Sequence, residues 1–271
     1  MSDFLASMAQ SSKARSEKAQ TICSAEQAME RCQDLPPTTR FKSSDGCMDV
    51  IAEIKVRSPA EGQLAEGVTT ESIIARAADY VFGGASILSV LTEPDRFDGS
   101  LDYLAAVKAH VGKQAAVMRK DFLVDPYQLF EARIHGADGA LLIARMLDDA
   151  ELESMLNTAN DLGLFVLLEA FDEVDLARMA PFASDQVLLG LNCRDLTTLK
   201  IDPARFERLA GHFPDSATKV AESGIHSVEE AAELHALGYD MALIGTLLMK
   251  TEHPATAISG IRDRTTRQGR V

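Results

Sequence analysis

Eight short apolar runs alternate with eight helical patterns along this chain, and this alternation constrains the fold more than any other feature of the sequence. The runs are rich in β-branched residues, which is typical of parallel strands that are buried on both faces. They cover Val50–Val56, Ala85–Leu91, Ala115–Arg119, Ala140–Ala144, Leu164–Leu168, Val187–Leu191, Thr218–Ala221 and Met241–Gly245. The spacing between the runs leaves room for one helix after each strand.

Helical patterns fill the intervals between the apolar runs. The predicted helices are Thr70–Phe82, Leu101–Val111, Pro126–His135, Asp148–Leu162, Val174–Met179, Pro203–Gly211, Val228–Leu237 and Ala255–Arg264. Glycines at Gly83, Gly136 and Gly238 mark three junctions from helix to strand, because glycine readily adopts the left-handed conformation that ends a helix.

Eight βα units in about 220 residues predict a (β/α)8 TIM barrel. An open doubly wound sheet is the alternative, and it would favour a G-x-G-x-x-G turn after the first strand. The chain has Arg-Ser-Pro-Ala-Glu-Gly at that point, which favours the barrel.

Residues 1–47 differ in composition from the barrel at 48–271 and predict an N-terminal helical extension. Lys13–Cys32 is rich in Ala, Glu, Gln, Lys and Arg, which predicts one weakly amphipathic helix. Pro36 and Pro37 end it, since proline cannot continue a helix. We expect the extension to pack on the barrel, and a solvated arm is the alternative.

The acidic balance of the chain excludes some classes of partner. The net charge is −14, which argues against nucleic acid and anionic membranes as partners. We find neither an apolar run of about 18 residues nor a secretory signal, so we expect a cytoplasmic protein. The four cysteines form no C-x-x-C pair and the six histidines are scattered, which predicts no metal site.

Charged and polar residues follow the apolar runs. In a TIM barrel the active site lies at the carboxyl ends of the strands, so these side chains should converge on one rim. The first strand ends in Glu53 and Lys55 and then Ser58, the third in Lys120, followed by Phe122, the fifth in Glu169, the sixth in Asn192 and Arg194, the seventh in Glu222, and the eighth in Gly245 and then Thr246.

The residue types at these ends suggest roles in proton transfer. Glu53 and Lys55 are two positions apart and share one face of a strand, so they form either a buried ion pair or one edge of a site. Lys120 and Lys55 are candidate acids, bases or Schiff-base nucleophiles, and desolvation in a cation-rich pocket is expected to lower the pKa of Lys120. Glu169 follows an apolar run and is a candidate general acid or base. Arg194 can clamp a carboxylate.

Two glycine turns near the end of the chain predict a phosphate site. Ser223 and Gly224 precede a helix that opens with Ser227, and Gly245 and Thr246 follow the eighth strand. Glycines let backbone N–H groups approach an anion, and a helix N-terminus attracts it. We therefore expect a phosphorylated small molecule as the partner.

Six motifs together resemble the indole-3-glycerol phosphate synthase family. The resemblance covers about residues 48–265 of the chain. The motifs are A-E-I-K-x-x-S-P-x-x-G from Ala52, L-T-E-P-D-R-F-D-G-S from Leu91, R-K-D-F-L-V-D-P-Y-Q from Arg119, L-L-E from Leu167, G-L-N-C-R-D-L from Gly190 and E-S-G-I from Glu222.

The resemblance implies a cofactor-free carboxy-lyase of tryptophan biosynthesis, which closes the indole ring of 1-(2-carboxyphenylamino)-1-deoxyribulose 5-phosphate. By this resemblance Lys120 is the general acid and Glu169 the base of the dehydration step. Glu53 and Asn192 orient these groups, and Lys55 lies on the phosphate side and takes part in proton transfer.

The same resemblance implies how the substrate is held. Arg194 resembles the partner of the substrate carboxylate, with Glu222 beside it. The phosphate residues by resemblance are Ser58, Ser223, Gly224, Gly245 and Thr246. The wall around the aryl ring is implied to be Phe97, Phe122, Leu141, Leu196 and Ile225.

The chain departs from the family pattern in the loop after the first strand. Ala60 and Glu61 stand where the family usually has Ser and Lys, so a negative charge lies near the expected phosphate. A paralogue that uses a modified aryl amine therefore stays open, as do another phosphate-binding barrel enzyme and a non-catalytic paralogue. We expect a monomer or a weak homo-oligomer.

Overall fold

The computed structural model describes residues 3–41, 43–44, 46–65, 67–195 and 198–266, and within them eight parallel strands form a closed barrel. The strands are β1 (Asp49–Ile54), β2 (Ile87–Leu91), β3 (Ala116–Lys120), β4 (Gly139–Ile143), β5 (Phe165–Ala170), β6 (Val187–Asn192), β7 (Lys219–Glu222) and β8 (Met241–Ile244). Each strand pairs with its neighbours in chain order, and β1 closes the ring against β8. The predicted (β/α)8 barrel is confirmed.

Alternate residues of the strands fill the barrel interior with apolar side chains. At Gly139 the ring of Phe165 fills the space of a missing side chain, because a Cβ there would lie 2.4 Å from the Phe165 Cε1. The interior residues include Ile51, Ile87, Met118, Leu141, Phe165, Leu167, Leu188, Val220, Met241 and Leu243. The interior is therefore a packed floor, and polar groups at the carboxyl ends of the strands lie above it.

The outer faces of the strands are covered by helices that bury the larger of the two apolar clusters. Within the described residues the helices are α1 (Asp3–Gln20), α2 (Ala25–Gln33), α3 (Thr70–Phe82), α4 (Pro94–Phe97), α5 (Leu101–Val111), α6 (Tyr127–Ile134), α7 (Asp149–Asp161), α8 (Glu173–Met179), α9 (Ala204–Leu209), α10 (Val228–Ala236), α11 (Thr246–Lys250) and α12 (Pro254–Thr265). Each of the eight predicted helical patterns corresponds to one helix. None of the described helices is both long and apolar enough to cross a bilayer.

Three elements that the sequence did not predict lie at the carboxyl ends of the strands. A short hairpin pairs Arg57–Ser58 with Gly62–Gln63 just after β1. Helix α4 begins where the Glu93 carboxylate accepts hydrogen bonds from three backbone N–H groups, which is a strong N-cap. Helix α11 follows β8 directly. All three are too short to give a periodic apolar signal.

The prediction of one helix over Lys13–Cys32 is wrong, because the chain forms α1 and α2 with a break between them. Ser24 causes the break: its hydroxyl accepts a hydrogen bond from the Gln27 N–H, and the Gln27 side chain accepts one from the Ser24 N–H. This reciprocal capping box starts a new helix within a run of good helix formers.

The N-terminal extension packs on the barrel and is not a solvated arm. In α1, Leu5 and Met8 are buried in the same apolar cluster as the barrel interior. The Arg15 guanidinium donates two hydrogen bonds, at 2.8 and 3.0 Å, to the buried carboxylate of Asp121. Helix α1 therefore lies against the carboxyl end of the barrel, beside the residue that follows Lys120.

Candidate active site

One cavity at the carboxyl end of the barrel collects nearly all of the predicted site residues. Leu196 lies outside the described residues, and every other predicted residue lines this cavity. They are Glu53, Lys55, Ser58, Phe97, Lys120, Phe122, Leu141, Glu169, Asn192, Arg194, Glu222, Ser223, Gly224, Ile225, Gly245 and Thr246. Because parallel strands all end on one rim, residues that are far apart in the sequence meet here.

Glu53 and Lys55 form an ion pair that also borders the cavity, so the two readings of this pair are compatible. Lys55 Nζ lies 2.7 Å from Glu53 Oε1, and Glu53 is buried. Burial alone would raise the pKa of Glu53, but the ammonium groups of Lys55 and Lys120 outweigh it and hold that pKa below its ordinary value. Glu53 is therefore a fixed negative charge at the base of the site.

Lys120 lies between two buried carboxylates, 3.5 Å from Glu169 Oε2 and 3.4 Å from Glu222 Oε2. Burial alone would lower the pKa of Lys120, but Glu222, Glu169 and Glu53 outweigh it and raise that pKa above the ordinary value of a lysine. The expected lowering of this pKa is wrong, because the surroundings of Lys120 are rich in carboxylates and not in cations. An ammonium held in this way can donate a proton, whereas a Schiff-base nucleophile must be a neutral amine.

Glu222 is the carboxyl group of the site that most favours its neutral form. Burial and the nearby charge of Glu169 raise the pKa of Glu222 well above its usual range, and Lys120 offsets only part of this effect. Glu222 Oε1 is buried and has no hydrogen-bond partner among the described residues. This oxygen lies against Gly190, where a Cβ would be only 2.1 Å away, and its hydrogen-bonding capacity is unused.

Asn192 fixes the orientation of Glu169. Its side-chain amide donates a hydrogen bond to Glu169 Oε1 at 3.0 Å, and its carbonyl oxygen accepts one from the Arg194 N–H at 2.9 Å. Arg194 donates from Nη1 to the carbonyl oxygen of Leu199 at 3.0 Å. Because both the NH2 group and the oxygen of the Asn192 side chain are hydrogen-bonded, this side chain cannot rotate freely. Glu169 therefore uses Oε1 for Asn192, and its Oε2 is left for Lys120.

Aromatic rings line one side of the cavity. The ring centroids of Phe97 and Phe122 are 5.9 Å apart, and the ring of Phe4 meets Phe122 edge-on at 5.9 Å. Leu141, which lies in the same apolar cluster as Phe122, extends this wall. Ile225 also lines the cavity, but it directly follows Gly224 and belongs to the other apolar cluster. Such a wall can hold a planar aromatic group by burial and by ring-to-ring contacts.

The glycine turns after β7 and β8 form another part of the cavity lining. Ser223 and Gly224 both have positive φ, at 70° and 68°, just before α10, whose first turn Ser227 caps. A glycine turn next to the N-terminus of a helix can present backbone N–H groups to an anion. At Gly245 a Cβ would lie 2.4 Å from Glu53 Oε1, so this glycine also makes room for the buried carboxylate.

The comparisons with known proteins identify the family. The family model of indole-3-glycerol phosphate synthase matches residues 2–261. The chain belongs to this family. The indole-3-glycerol phosphate synthase of Micrococcus luteus is 44% identical over 213 residues, covering 79% of this chain and 77% of that protein. The one of Beutenbergia cavernae is 42% identical over 236 residues, covering 87% and 84%.

Solved structures support the fold alone. The 3-hexulose-6-phosphate synthase of Salmonella typhimurium has a TM-score of 0.65 at 15% identity, covering 82% of this chain and 100% of that chain. Membership of the indole-3-glycerol phosphate synthase family makes the chain an enzyme of tryptophan biosynthesis that acts on a phosphorylated small molecule.

Some residues that line the cavity were missed from the sequence. Phe4 comes from α1, and the only signal for it is that Phe4, Leu5 and Met8 have the spacing of one helix face. Leu199 and His226 come from loops. Loop residues carry no periodic pattern, so only the fold brings them to the site.

Proposed function

We propose that the chain is an indole-3-glycerol phosphate synthase in its own right, a carbon–carbon lyase that converts 1-(2-carboxyphenylamino)-1-deoxyribulose 5-phosphate into indole-3-glycerol phosphate, CO2 and water. One observation carries the proposal: the ammonium of Lys120 lies between the buried carboxylates of Glu169 and Glu222. This group is flanked by an apolar aromatic wall on one side and a phosphate-type turn on the other.

The substrate lies across the cavity in this proposal. Its phosphate binds at the glycine turns of the seventh and eighth strand ends, and its aryl ring packs against Phe97 and Phe122. Arg194 pairs with the aryl carboxylate, since a guanidinium can offer it two parallel hydrogen bonds. Holding both ends of a flexible substrate brings the ring carbon and the ketone carbon together, which can supply a large part of the rate enhancement.

Lys120 acts as the general acid of ring closure. The ring carbon that bears the carboxylate attacks the ketone carbon, and the ketone oxygen takes a proton from Lys120 Nζ. The raised pKa of Lys120 supports this role, because the amine is protonated before the substrate binds. CO2 then leaves from the same ring carbon, which restores the aromatic ring.

Glu169 acts as the base of the dehydration. It takes the anilinic proton while the new hydroxyl group, protonated by Lys55, leaves as water. A proton shift from the methylene carbon to the nitrogen completes the indole. The hydrogen bond from Asn192 supports this role by fixing the Glu169 carboxylate, and Glu53 supports it by pairing with Lys55 at 2.7 Å and by helping to raise the pKa of Lys120.

The test is turnover of the carboxyphenylamino-deoxyribulose phosphate by the purified protein. We expect the absorbance and fluorescence of an indole to appear together with one CO2 for each product. Substituted anthranilate analogues in the same assay measure how narrowly the aryl wall selects its ring. A folded protein that forms no indole product from any of them would remove the proposal.

A further inference from the structure

Glu61, in the turn of the hairpin after β1, reaches across to α11. Its Oε1 accepts a hydrogen bond from the Thr246 hydroxyl at 2.9 Å, and its Oε2 accepts one from Lys250 Nζ at 2.7 Å. Thr246 and Lys250 are the first and last residues of α11. Both oxygens of one carboxylate are thus held by a single short helix at the edge of the cavity.

The Glu61 carboxylate is charged in this position. Partial burial alone would raise the pKa of Glu61, but the hydrogen bonds from Lys250 and Thr246, together with the charges of Lys250 and Lys55, lower it. Thr246 lines the main cavity beside Gly245, and it also lines an adjoining outer pocket together with Glu61 and Lys250. A protein carboxylate therefore holds the hydroxyl group of a residue that borders the predicted phosphate side of the cavity.

We propose that Glu61 is an internal competitor for the phosphate group of the substrate, and that Lys250 is a further phosphate-binding residue. This inference rests on the proposed function in so far as that function supplies the phosphate. In the free protein the Glu61 carboxylate accepts hydrogen bonds from the Thr246 hydroxyl and the Lys250 ammonium, so these two donors are not available to another anion. The phosphate displaces it and takes over both donors, since charge-assisted hydrogen bonds favour the more highly charged acceptor.

The hairpin turn can release Glu61 at little cost to the fold. Pro59 and Ala60 are exposed. Gly62 has a positive φ of 72°, and a Cβ there would have no neighbour within 4 Å. Because Pro59 and Ala60 are already exposed, moving this turn toward solvent uncovers little apolar surface, and the cost of displacement is mainly the loss of the two hydrogen bonds of Glu61. That cost falls on binding and not on the chemical steps.

A plain surface ion pair is the competing explanation, because Lys250 is 58% exposed. Such pairs contribute little, and their removal would leave phosphate binding nearly unchanged. The contact with the Thr246 hydroxyl separates the two explanations, since Thr246 is only partly exposed and borders the main cavity as well as the outer pocket that Glu61 and Lys250 line.

The experiment measures the binding of inorganic phosphate to the protein by titration calorimetry at constant ionic strength. Glu61→Gln should lower the Kd by about tenfold, which corresponds to roughly 1.4 kcal/mol. The KM for the sugar-phosphate substrate should fall with it while kcat stays within about twofold, because only substrate binding is relieved. Glu252→Gln is the control, since it removes one charge from an exposed residue close to Lys250.

Equal Kd values for Glu61→Gln and Glu252→Gln would overturn the inference, because only net charge would then matter. An unchanged Kd for Glu61→Gln, or no phosphate binding by any variant, would overturn it as well. Lys250→Met in the Glu61→Gln background should raise the Kd again. Tighter phosphate binding by Glu61→Gln in a protein that turns over no substrate would support the inference and remove only the proposed function.

Discussion

Gly190 is the position where the smallest change should disturb the site most. It lies on β6, two residues before Asn192 and therefore on the same face of the strand. The Glu222 carboxylate fills the space beside it: a Cβ at Gly190 would lie 2.1 Å from Glu222 Oε1 and 3.1 Å from Leu167 Cδ1. Gly190→Ala therefore forces the buried Glu222 carboxylate to move.

The expected loss of stability follows from overpacking a buried site, which costs about 1–3 kcal/mol. In a chain of this size each kcal/mol lowers Tm by about 2–4 °C, so a cost of about 2 kcal/mol gives a fall of about 4–8 °C. The activity should suffer more. Glu222 lies 3.4 Å from Lys120 Nζ, and a displacement of about 1 Å at a reacting group can lower kcat by about 10²-fold.

Thermal unfolding followed by circular dichroism, together with indole formation, measures both effects. Gly211→Ala is the matched control, because a Cβ at Gly211 would have no neighbour within 4 Å. Adding Glu222→Ala to Gly190→Ala should restore part of the lost Tm, since the clash is then removed. If Gly190→Ala keeps both the Tm and the kcat of the wild type, the space beside Gly190 is not occupied as described and the reasoning fails.

Two further substitutions test the charges of the site. The pKa of Glu222 is raised in the folded state, so its favourable contribution belongs to the protonated form and is lost as the pH rises through that pKa. Glu222→Gln should therefore be more stable than the wild type, by on the order of 1 kcal/mol, with a margin that grows with pH. Urea unfolding at several pH values measures it, and a pH-independent margin would contradict the cause. Arg15→Ala removes two hydrogen bonds to the buried Asp121 carboxylate and should cost about 1.5–3 kcal/mol, whereas Lys13→Ala, an exposed residue of the same helix, should cost almost nothing in the same unfolding experiment.

The barrel could be predicted from the sequence because each buried strand needs a continuous apolar run. The convergence of Glu53, Lys120 and Glu169 followed from the same pattern, since strand ends of a parallel barrel share one rim. Helix boundaries that depend on a single capping residue were harder to predict. Ser24 interrupts a run of good helix formers, and only its capping bond with Gln27 makes it a helix start.

The electrostatics of Lys120 could not be read from its neighbours in the chain. Arg119 and Asp121 flank it in the sequence, but their side chains pair with each other at 3.1 Å and not with Lys120. The charges that matter come from Glu169 and Glu222 on other strands. The contact of Glu61 with Lys250 likewise joins residues 189 positions apart, which no local pattern reveals.

The account depends most on Lys120 as a proton donor between two carboxylates, and Lys120→Arg tests it most directly. Arginine keeps the positive charge beside Glu169 and Glu222 but does not release a proton at working pH. With folding checked by circular dichroism and Lys113→Arg as an exposed control, we expect kcat for indole formation to fall by about 10²-fold or more. A folded Lys120→Arg protein with near-normal kcat would contradict the account.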